Sequence, residues 1–419
     1  AQRTGANSLC DALLQKVLPM IERLPDVQDK ARCYLESGRL LRYPIGVARE
    51  QLKKAVQLAH SAGLKAIEAE GLRELGLGFW IMQNNFEQAT LHLEHGLQLS
   101  REIENRKLEG IICNALALIL DANGNDAEAQ RYAELGIRLC REVGNRFDEG
   151  FGFTHLASSY YHQGAYAAAL QYAQQALTLG IETQTYYLIS LALLGVGLVL
   201  GDLGQYAEAL TYYERVLHAA RGANNLHMVR TALFFVGLYA HYAGDDARAQ
   251  ACGQEGLRIA SALGEQNSQR WGWMITGHAL MGLGQLDEAN AAYQHALKGW
   301  DQTNGIWFRA SPVRVALLKG DTIALQEALP HVEEILRRWD AHPGLRDVGI
   351  ERFESCWACY RLLQALHDPR APEVLERAYN LVQATAAKLQ DPAHRRMFLE
   401  NVAAHRDIVA EWERIQQDA

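Results

Sequence analysis

The chain has 419 residues, of which 49% are hydrophobic and 21% are charged, and its 41 Lys and Arg against 49 Asp and Glu leave a net charge of −8. This composition is typical of folded globular proteins and excludes disordered and fibrous chains. The acidic balance disfavours nucleic acid as a direct partner, since phosphate-binding domains carry a basic excess. It also disfavours an electrostatic membrane anchor.

The cysteines and the first residues favour a reduced, cytoplasmic setting. The seven Cys are odd in number and scattered through apolar segments, which is expected of buried thiols rather than of a disulfide framework. The start, AQRTGANSL, has no signal-peptide pattern and no initiator Met, so we expect a piece of a longer chain. The longest apolar run, 186–200, has 15 residues, whereas a membrane span needs about 20. It predicts a buried helix.

The N-terminal region predicts one helix followed by an irregular helix pair. Residues 8–24 are apolar at helical spacing and are interrupted by Pro19, so we assign 1–26 to a helix that leads into the rest of the fold. The pair over 27–62 carries Ala48 one residue ahead of the columns of the repeat that follows.

The central part of the chain is a repeat with a fixed period. A six-residue motif that begins with a turn residue and ends with Ala, such as GQYAEA, occurs six times between about 65 and 303. Its first residues are Asn84, Gly124, Gly164, Gly204, Gly244 and Gly284. Every interval is 40 residues, and chance does not produce six such copies. A period of this length indicates a stack of similar units.

Other columns of the repeat predict two antiparallel helices in each unit. A small residue followed by a large aliphatic one comes seven residues after the motif's Ala, as in Ala176-Leu177, and a small residue such as Ala157 precedes the turn by seven. The turn Gly supplies the left-handed backbone that ends a helix. The small residues let neighbouring helices approach closely, and the aliphatic residue fills the space between them.

Two further helix pairs and a charged tail follow the regular units. The pairs are predicted at 305–339 and 346–389, with Pro372 opening the last helix. Residues 391–419 are predicted to form charged capping helices on the last apolar face. Since no linker or low-complexity segment divides the chain, we expect 27–390 to be one continuous solenoid of about nine hairpins.

The repeat resembles the tetratricopeptide repeat. That family combines a turn Gly, an aromatic residue two positions later and two small residues seven apart, and Gly164, Tyr166, Ala169 and Ala176 match this pattern. The resemblance implies an all-α fold, a right-handed α-solenoid of stacked antiparallel helix hairpins. The period of 40 residues departs from the family's usual value of about 34, and the Pro that closes the standard unit is missing. The extra residues are expected to lengthen the helices or the loops.

The long unit and the segment DPAHRRMFLENVAAHR at 391–406 are similar to the sensor arrays of MalT-like and other STAND-type bacterial regulators. Those proteins join the array to a nucleotide-switch ATPase and to a DNA-binding or cyclase domain. This sequence has no GxxxxGK[ST] phosphate loop, no HExxH and no GxSxG. The switch ATPase of that group, if this protein has one, is therefore not in this chain. For this chain we predict no enzymatic activity, no cofactor and no metal.

Two small clusters leave alternatives open. Cys356 and Cys359 form a CxxC inside an apolar helical stretch, where buried packing is favoured over a zinc or redox role. His92 and His95 are three residues apart on a predicted helix, and no third ligand is evident. Surface or packing roles are therefore favoured over a metal site.

The expected ligand surface is an implication of the family resemblance. In that family the first helix of each unit lines a concave groove, at positions about ten, nine, six, three and two before the turn residue. Eight side chains on these helices are predicted to contact a ligand: Asn114, His155, Tyr161, His162, Phe234, His241, Trp271 and His278. The apolar and aromatic lining, with almost no Lys or Arg, suits a peptide, a protein or a small apolar effector. The alternative is that longer helices bury some of these side chains between units.

Three functions are weighed on these observations. The favoured one is a non-enzymatic sensor or partner-recognition module of a larger bacterial signalling or transcription regulator. The alternative is a stand-alone scaffold for protein–protein interaction, since one fold serves both and only the site decides. An enzyme with its site in the groove would use groups such as His155 and His241, but the sequence arranges them in no known constellation. Further domains in the parent chain would separate the first function from the second.

Overall fold

The computed structural model describes residues 16–40, 45–83, 85–263, 265–298, 306–341 and 349–418, and the regular structure within these ranges is helical throughout. After a helical stretch at 16–22, the helices are α1 (Val27–Leu40), α2 (Ile45–Ser61), α3 (Lys65–Gln83), α4 (Phe86–Glu102), α5 (Arg106–Asn123), α6 (Asp126–Glu142), α7 (Arg146–His162), α8 (Tyr166–Glu182), α9 (Tyr186–Asp202), α10 (Tyr206–Gly222), α11 (Leu226–Tyr242), α12 (Asp246–Leu263), α13 (Gln266–Gly282), α14 (Leu286–Leu297), α15 (Ile306–Lys319), α16 (Thr322–Ala341), α17 (Gly349–Ala365), α18 (Ala371–Lys388), α19 (Pro392–Glu400) and α20 (Ala403–Asp418). The fold is an α-solenoid of helix hairpins, as the repeat predicts.

In the regular units, the first helix of each hairpin is called the A helix (α3, α5, α7, α9, α11 and α13) and the second the B helix (α4, α6, α8, α10, α12 and α14). Most A helices end at a left-handed glycine. Gly124, Gly164, Gly204, Gly244 and Gly284 have φ between +74° and +95°. Gly adopts this conformation without the steric cost of a Cβ. The predicted helix-ending turn is therefore confirmed at these five positions, whereas Asn84 lies outside the described residues.

At two turns, the glycine that precedes the turn by seven makes room for a tyrosine of the B helix: Gly197 for Tyr213 and Gly277 for Tyr293. A Cβ added to Gly197 in α9 would lie 2.6 Å from the ring of Tyr213 in α10. The Tyr213 side chain is fully buried there, stacked on Tyr239 with ring centroids 5.3 Å apart. Glycine at this column thus admits a large aromatic side chain into the hairpin, which explains the column in packing terms.

We predict that Ala209→Leu will destabilise the protein by about 1–3 kcal/mol, since extra methyl groups in a packed helix junction force side chains and backbone apart. Ala209 is fully buried at the start of α10. The neighbouring Ala207 is exposed on the same helix, so Ala207→Leu is the matched control. Urea unfolding followed by circular dichroism measures both changes. Equal unfolding curves for the two variants would show that the repeat register is misassigned.

The chain forms two compact units. The first comprises the described residues of 1–159 and 172–189. Its A helices are joined to the preceding B helices by buried carboxylates. Glu149 in α7 is 1% exposed and accepts bonds from Arg141 Nε and Arg146 Nη1, both at 2.8 Å. Glu109 makes the equivalent contacts 40 residues earlier. Pairing by two guanidinium groups offsets the cost of burying the charge.

The second unit comprises the described residues of 160–171 and 190–419. In its core, α15 to α20 pack with side chains from the end of α7 and from α8 and α9, among them Tyr161, Tyr166 and Leu203. Helices of a solenoid normally contact mainly their neighbours along the chain. The last helices of this unit instead return to repeats that precede them by about 150 residues.

None of the described helices is both long enough and apolar enough to cross a membrane.

Candidate recognition surface

The eight side chains predicted to contact a ligand all lie on A helices, and they are distributed over the two compact units. Asn114 and His155 belong to the first unit, and the other six belong to the second. Whether any of them contacts a ligand stays a prediction. Their surroundings differ between the units and are described for each unit separately.

The Asn114 side chain connects two A helices of the first unit through a hydrogen bond. Its side chain is 4% exposed, and its Nδ2 donates a hydrogen bond to the carbonyl oxygen of Asp148 at 2.7 Å. A Cβ added to Gly136 would collide with the Asn114 amide, and one added to Gly152 would lie 3.0 Å from its Oδ1. The two glycines therefore make the space that this amide fills, and its donor is already used inside the protein.

His155 is half-buried near a polar pair on the same A helices. Ser158 Oγ donates to Asp121 Oδ2 at 2.7 Å, which connects α7 to α5. Burial lowers the pKa of His155 to about 4, against the opposing charge of Asp121. The imidazole is therefore neutral at physiological pH, and it offers one donor and one acceptor rather than a positive charge.

The first unit also carries an aromatic patch that the sequence analysis missed, formed by Phe147, Phe151 and Tyr187. Phe147 is 43% exposed and Tyr187 is 46% exposed. The Phe151 ring lies between them, 4.9 Å from Phe147 and 5.8 Å from Tyr187 by ring centroids. Large aromatic side chains exposed side by side are typical of surfaces that bind other molecules.

A signal for this patch was present in the sequence. Phe147 and Tyr187 are 40 residues apart and each precedes its turn glycine by 17, while Phe151 precedes its own by 13. The lining positions of the 34-residue family begin only ten residues before the turn. In this chain most A helices have 17 residues or more, so they carry an additional N-terminal turn, which the family pattern does not cover.

In the second unit, Phe234 and Trp271 form a partly buried aromatic row with Phe308. The centroids of Phe234 and Trp271 are 4.5 Å apart, and those of Trp271 and Phe308 are 5.2 Å apart, both edge to face. The row joins α11, α13 and α15, so these rings contribute to the packing of successive hairpins. Edge-to-face pairs at these distances are favourable.

His241 and His278 lie against each other beneath α17. Their rings stack with centroids 5.3 Å apart and planes 9° apart. His241 Nδ1 lies 2.6 Å from Asp246 Oδ1, and His278 Nδ1 lies 2.9 Å from the hydroxyl of Tyr293. Burial lowers the pKa of both imidazoles, strongly for His278. Both rings are therefore neutral hydrogen-bonding groups inside the protein.

Glu351 of α17 is the polar centre of this region and is 1% exposed. It accepts a hydrogen bond from the Tyr242 hydroxyl, its Oε1 lies 3.5 Å from His278 Nε2, and its Oε2 lies 3.7 Å from Arg314 Nη1. Burial raises the pKa of Glu351 to about 7, against the opposing charge of Arg314. One carboxylate thus joins α17 to α11, α13 and α15.

Asp202, the last residue of α9, makes a second polar connection to α17. Its Oδ2 accepts from the Tyr166 hydroxyl at 2.9 Å, and its Oδ1 accepts from the backbone N–H of Ile350 at 3.1 Å. Any side chain at Gly349 would collide with the Asp202 carboxylate. Burial raises the pKa of Asp202 to about 6, against the hydrogen bond from Tyr166. Asp202 therefore caps the N-terminus of α17, where backbone N–H groups lack partners in the helix.

The sequence analysis also missed Asp202, although its position carried a signal. It lies two residues before its turn glycine, as His162 and Tyr242 do, which is one of the columns assigned to the inner surface. The neighbouring column holds Tyr161, which is 8% exposed and stacks near Tyr166 with centroids 5.9 Å apart. His162 is half-buried next to Tyr161.

The CxxC pair is buried, as favoured from the sequence. Cys356 and Cys359 both have no exposed surface and lie in the core of the second unit. Among the described residues, no three His, Cys, Asp or Glu side chains come together as a metal site. His92 stacks on Phe79 with centroids 5.1 Å apart, which is a packing role.

Two profiles of the tetratricopeptide repeat match the chain, one over residues 153–183 and one over 188–262. No curated protein matches it in sequence. Solved structures share the fold at low identity. One is a Rap protein complexed with Competence and Sporulation Factor, with a TM-score of 0.51, 16% identity, and coverage of 93% of this chain and 98% of that one. Another is aspartyl phosphate phosphatase F from Bacillus subtilis, with a TM-score of 0.53, 13% identity, and coverage of 80% and 90%.

A third similar structure belongs to a longer protein. It is a signal transduction ATPase with numerous domains (STAND) with a tetratricopeptide repeat sensor, from Pyrococcus horikoshii. The TM-score is 0.53 at 14% identity, and the match covers 83% of this chain but only 54% of that one. At these identities the likeness establishes a common fold.

Proposed function

We propose that this chain, which is an array of tetratricopeptide repeats, is a binding module that recognises a peptide or protein segment through the A helices of its first unit. The observation that carries the proposal is the aromatic patch. Phe147 and Tyr187 are 43% and 46% exposed, on two A helices. Aromatic side chains supply much of the affinity at protein interfaces because they bury a large area at little entropic cost.

The polar groups near the patch fit a peptide better than a purely apolar molecule. The half-buried His155 is neutral and lies on the same A helix as Phe147 and Phe151. Together with Ser158 it offers hydrogen-bonding atoms next to apolar rings. A peptide needs apolar contacts for its side chains. It also needs hydrogen-bonding groups, since its backbone N–H and C=O groups require partners when they leave water.

We further propose that the module is the sensor or partner-recognition region of a larger cytoplasmic signalling or transcription regulator. The STAND protein of similar fold supports this, because its repeats are described as a sensor and form only part of a longer chain. The Rap protein complexed with Competence and Sporulation Factor supports recognition of another molecule by such an array. A stand-alone scaffold is the alternative, and the domain content of the parent gene product decides between them.

We predict that the double substitution Phe147→Ala and Tyr187→Ala will weaken binding of selected peptides at least tenfold. The probe is a set of dodecapeptides selected from a random library on the immobilised intact chain. Loss of two aromatic contacts is worth about 1–3 kcal/mol or more at an interface. Isothermal titration calorimetry gives the affinities, and circular dichroism checks that the helices are retained.

Ile181→Ala is the matched control, because Ile181 is 60% exposed in the same unit but lies on the B helix α8. We expect this control to bind as the unaltered chain does. If the double variant and the control bind equally well, the patch is not the recognition surface. If no peptide is selected but native mass spectrometry shows a retained mass of a few hundred daltons from lysate, the ligand is a small effector instead.

A further inference from the structure

We infer that α17 to α20 form a clasp: a segment of the chain itself that occupies the inner surface of the repeats in the second unit and opens as one body while the repeats stay folded. The clasp comprises residues 349–418. The inference goes beyond the proposed function, since it concerns the second unit and does not depend on what the aromatic patch binds.

The clasp lies against the inner ends of the repeats in the second unit. Glu351 contacts Tyr242 and His278, and Ile350 contacts Asp202, so the start of α17 meets the C-terminal ends of three A helices. Asp202 and Tyr242 precede their turn glycines by two residues and His278 precedes its own by six, and the family resemblance assigns both columns to the inner surface. The clasp therefore covers the place where an external ligand of these repeats would bind.

Later parts of the clasp contact the repeat turns at the same 40-residue period. Lys388 donates to the carbonyl oxygen of Gln163, and Asn401 Nδ2 donates to that of Leu203 at 3.4 Å. A Cβ at Gly164 would lie 2.9 Å from Thr385, and one at Gly204 would lie 2.5 Å from Asn401. By contrast, a Cβ at Gly244 would have no atom within 4 Å.

The contacts within the clasp differ from those that attach it to the repeats. Within the clasp, Phe353 packs edge to face on Phe398, and the Tyr360 hydroxyl donates to Glu411 at 2.5 Å, so its helices share a core. The contacts to the repeats combine the apolar packing of Tyr161, Tyr166 and Leu203 with the buried ionisable groups Asp202 and Glu351. Such groups add little net stability, because their desolvation costs about as much as their pairing returns. A segment whose anchoring depends partly on such groups is suited to local opening.

The test compares Gly204→Ala with Gly244→Ala in the full chain by hydrogen exchange and mass spectrometry. Both glycines are left-handed, with φ of +74° and +82°, so both substitutions strain the turn. Only the substitution at Gly204 also places a Cβ in contact with the clasp. For Gly204→Ala we expect exchange in α17 to α20 to accelerate at least tenfold, with α10 unchanged. For Gly244→Ala we expect faster exchange only around its own turn.

A second readout and a milder variant keep the inference testable if Gly204→Ala does not fold. Asn401→Ala removes the bond to Leu203 without straining a turn, and we expect it to raise clasp exchange in the same helices by a smaller factor. Both clasp variants should increase the fluorescence of the apolar dye 8-anilinonaphthalene-1-sulfonate, which binds newly exposed apolar surface. The inference is overturned if faster exchange stays at the 204 turn, or if it spreads evenly through the clasp and the repeats together. Neither result bears on peptide binding at Phe147 and Tyr187.

Discussion

Replacing Glu351 by Ala is expected to destabilise the second unit by about 1–3 kcal/mol, because it removes one of the two carboxylates, Glu351 and Glu354, that face the buried guanidinium of Arg314. The side chains of Glu351 and Arg314 are 1% and 15% exposed, with Oε2 and Nη1 3.7 Å apart. The change also removes the acceptor of the Tyr242 hydroxyl. Leaving the buried Tyr242 hydroxyl without an acceptor would by itself cost about 1–3 kcal/mol of stability, and the total given above already contains part of this cost.

A second substitution at this position separates charge from hydrogen bonding. Glu351→Gln keeps the shape and an acceptor for Tyr242 but carries no charge. Since burial raises the pKa of Glu351 to about 7, a neutral side chain resembles one of its populated states near neutral pH. We therefore expect Glu351→Gln to lower the free energy of unfolding much less than Glu351→Ala does. Glu376→Ala, at an exposed position of α18, is the control and should leave urea unfolding unchanged. If both substitutions at Glu351 lower the free energy of unfolding equally, only its ionised carboxylate stabilises these contacts.

The parts of the fold that depend on local pattern could be predicted from the sequence. The left-handed turn at Gly204 and the buried position of Ala209 follow from the repeat, because each is fixed by contacts within one hairpin or between neighbours. The helix pairs beyond the regular units also show in the sequence as apolar residues at helical spacing. In each case the relevant residues are close together along the chain or separated by the constant period.

The contacts of the clasp could not be predicted in this way. Glu351 reaches Tyr242 across 109 residues and Ile350 reaches Asp202 across 148, and neither separation is a multiple of the period. No periodic column marks such a pair. The exposed side chains Phe147 and Tyr187 did follow the period. They were missed because the lining rule came from a shorter repeat, whose A helix lacks the turn that carries them.

His405 gives the clearest expected dependence of stability on pH. It is fully buried, with Nδ1 2.7 Å from the carbonyl oxygen of Phe398 and its ring 4.1 Å by centroid from those of Phe353 and Phe398. Burial lowers its pKa to about 3, while an unfolded chain has a value of about 6.5. Between these values the unfolded state binds a proton that the folded state does not. The contribution is therefore complete above pH 6.5 and is lost as the pH falls towards 3.

The expected loss in the free energy of unfolding due to His405 is about 1.4 kcal/mol for each pH unit below 6.5, or about 2 kcal/mol between pH 7 and pH 5. His405→Asn keeps a donor for the Phe398 carbonyl but does not titrate. The free energy of unfolding of the unaltered chain, minus that of this variant, should thus fall by that amount on acidification. Asp202 and Glu351, whose raised pKa values act in the opposite direction, are present in both proteins and cancel in the difference.

His218→Asn, at an exposed position of α10 in the same unit, is the control for the effect of an asparagine substitution itself. Urea unfolding at the two pH values, followed by tryptophan fluorescence and circular dichroism, provides the measurement. Parallel pH curves for the chain and its His405 variant would mean that the ring is protonated without leaving its site. Since Phe353, Phe398 and His405 lie on α17, α19 and α20, the loss of stability falls on the clasp. The difference between the unaltered chain and the His405 variant in hydrogen exchange of the clasp should therefore grow on acidification, since the contributions of Asp202 and Glu351 cancel in that difference as well.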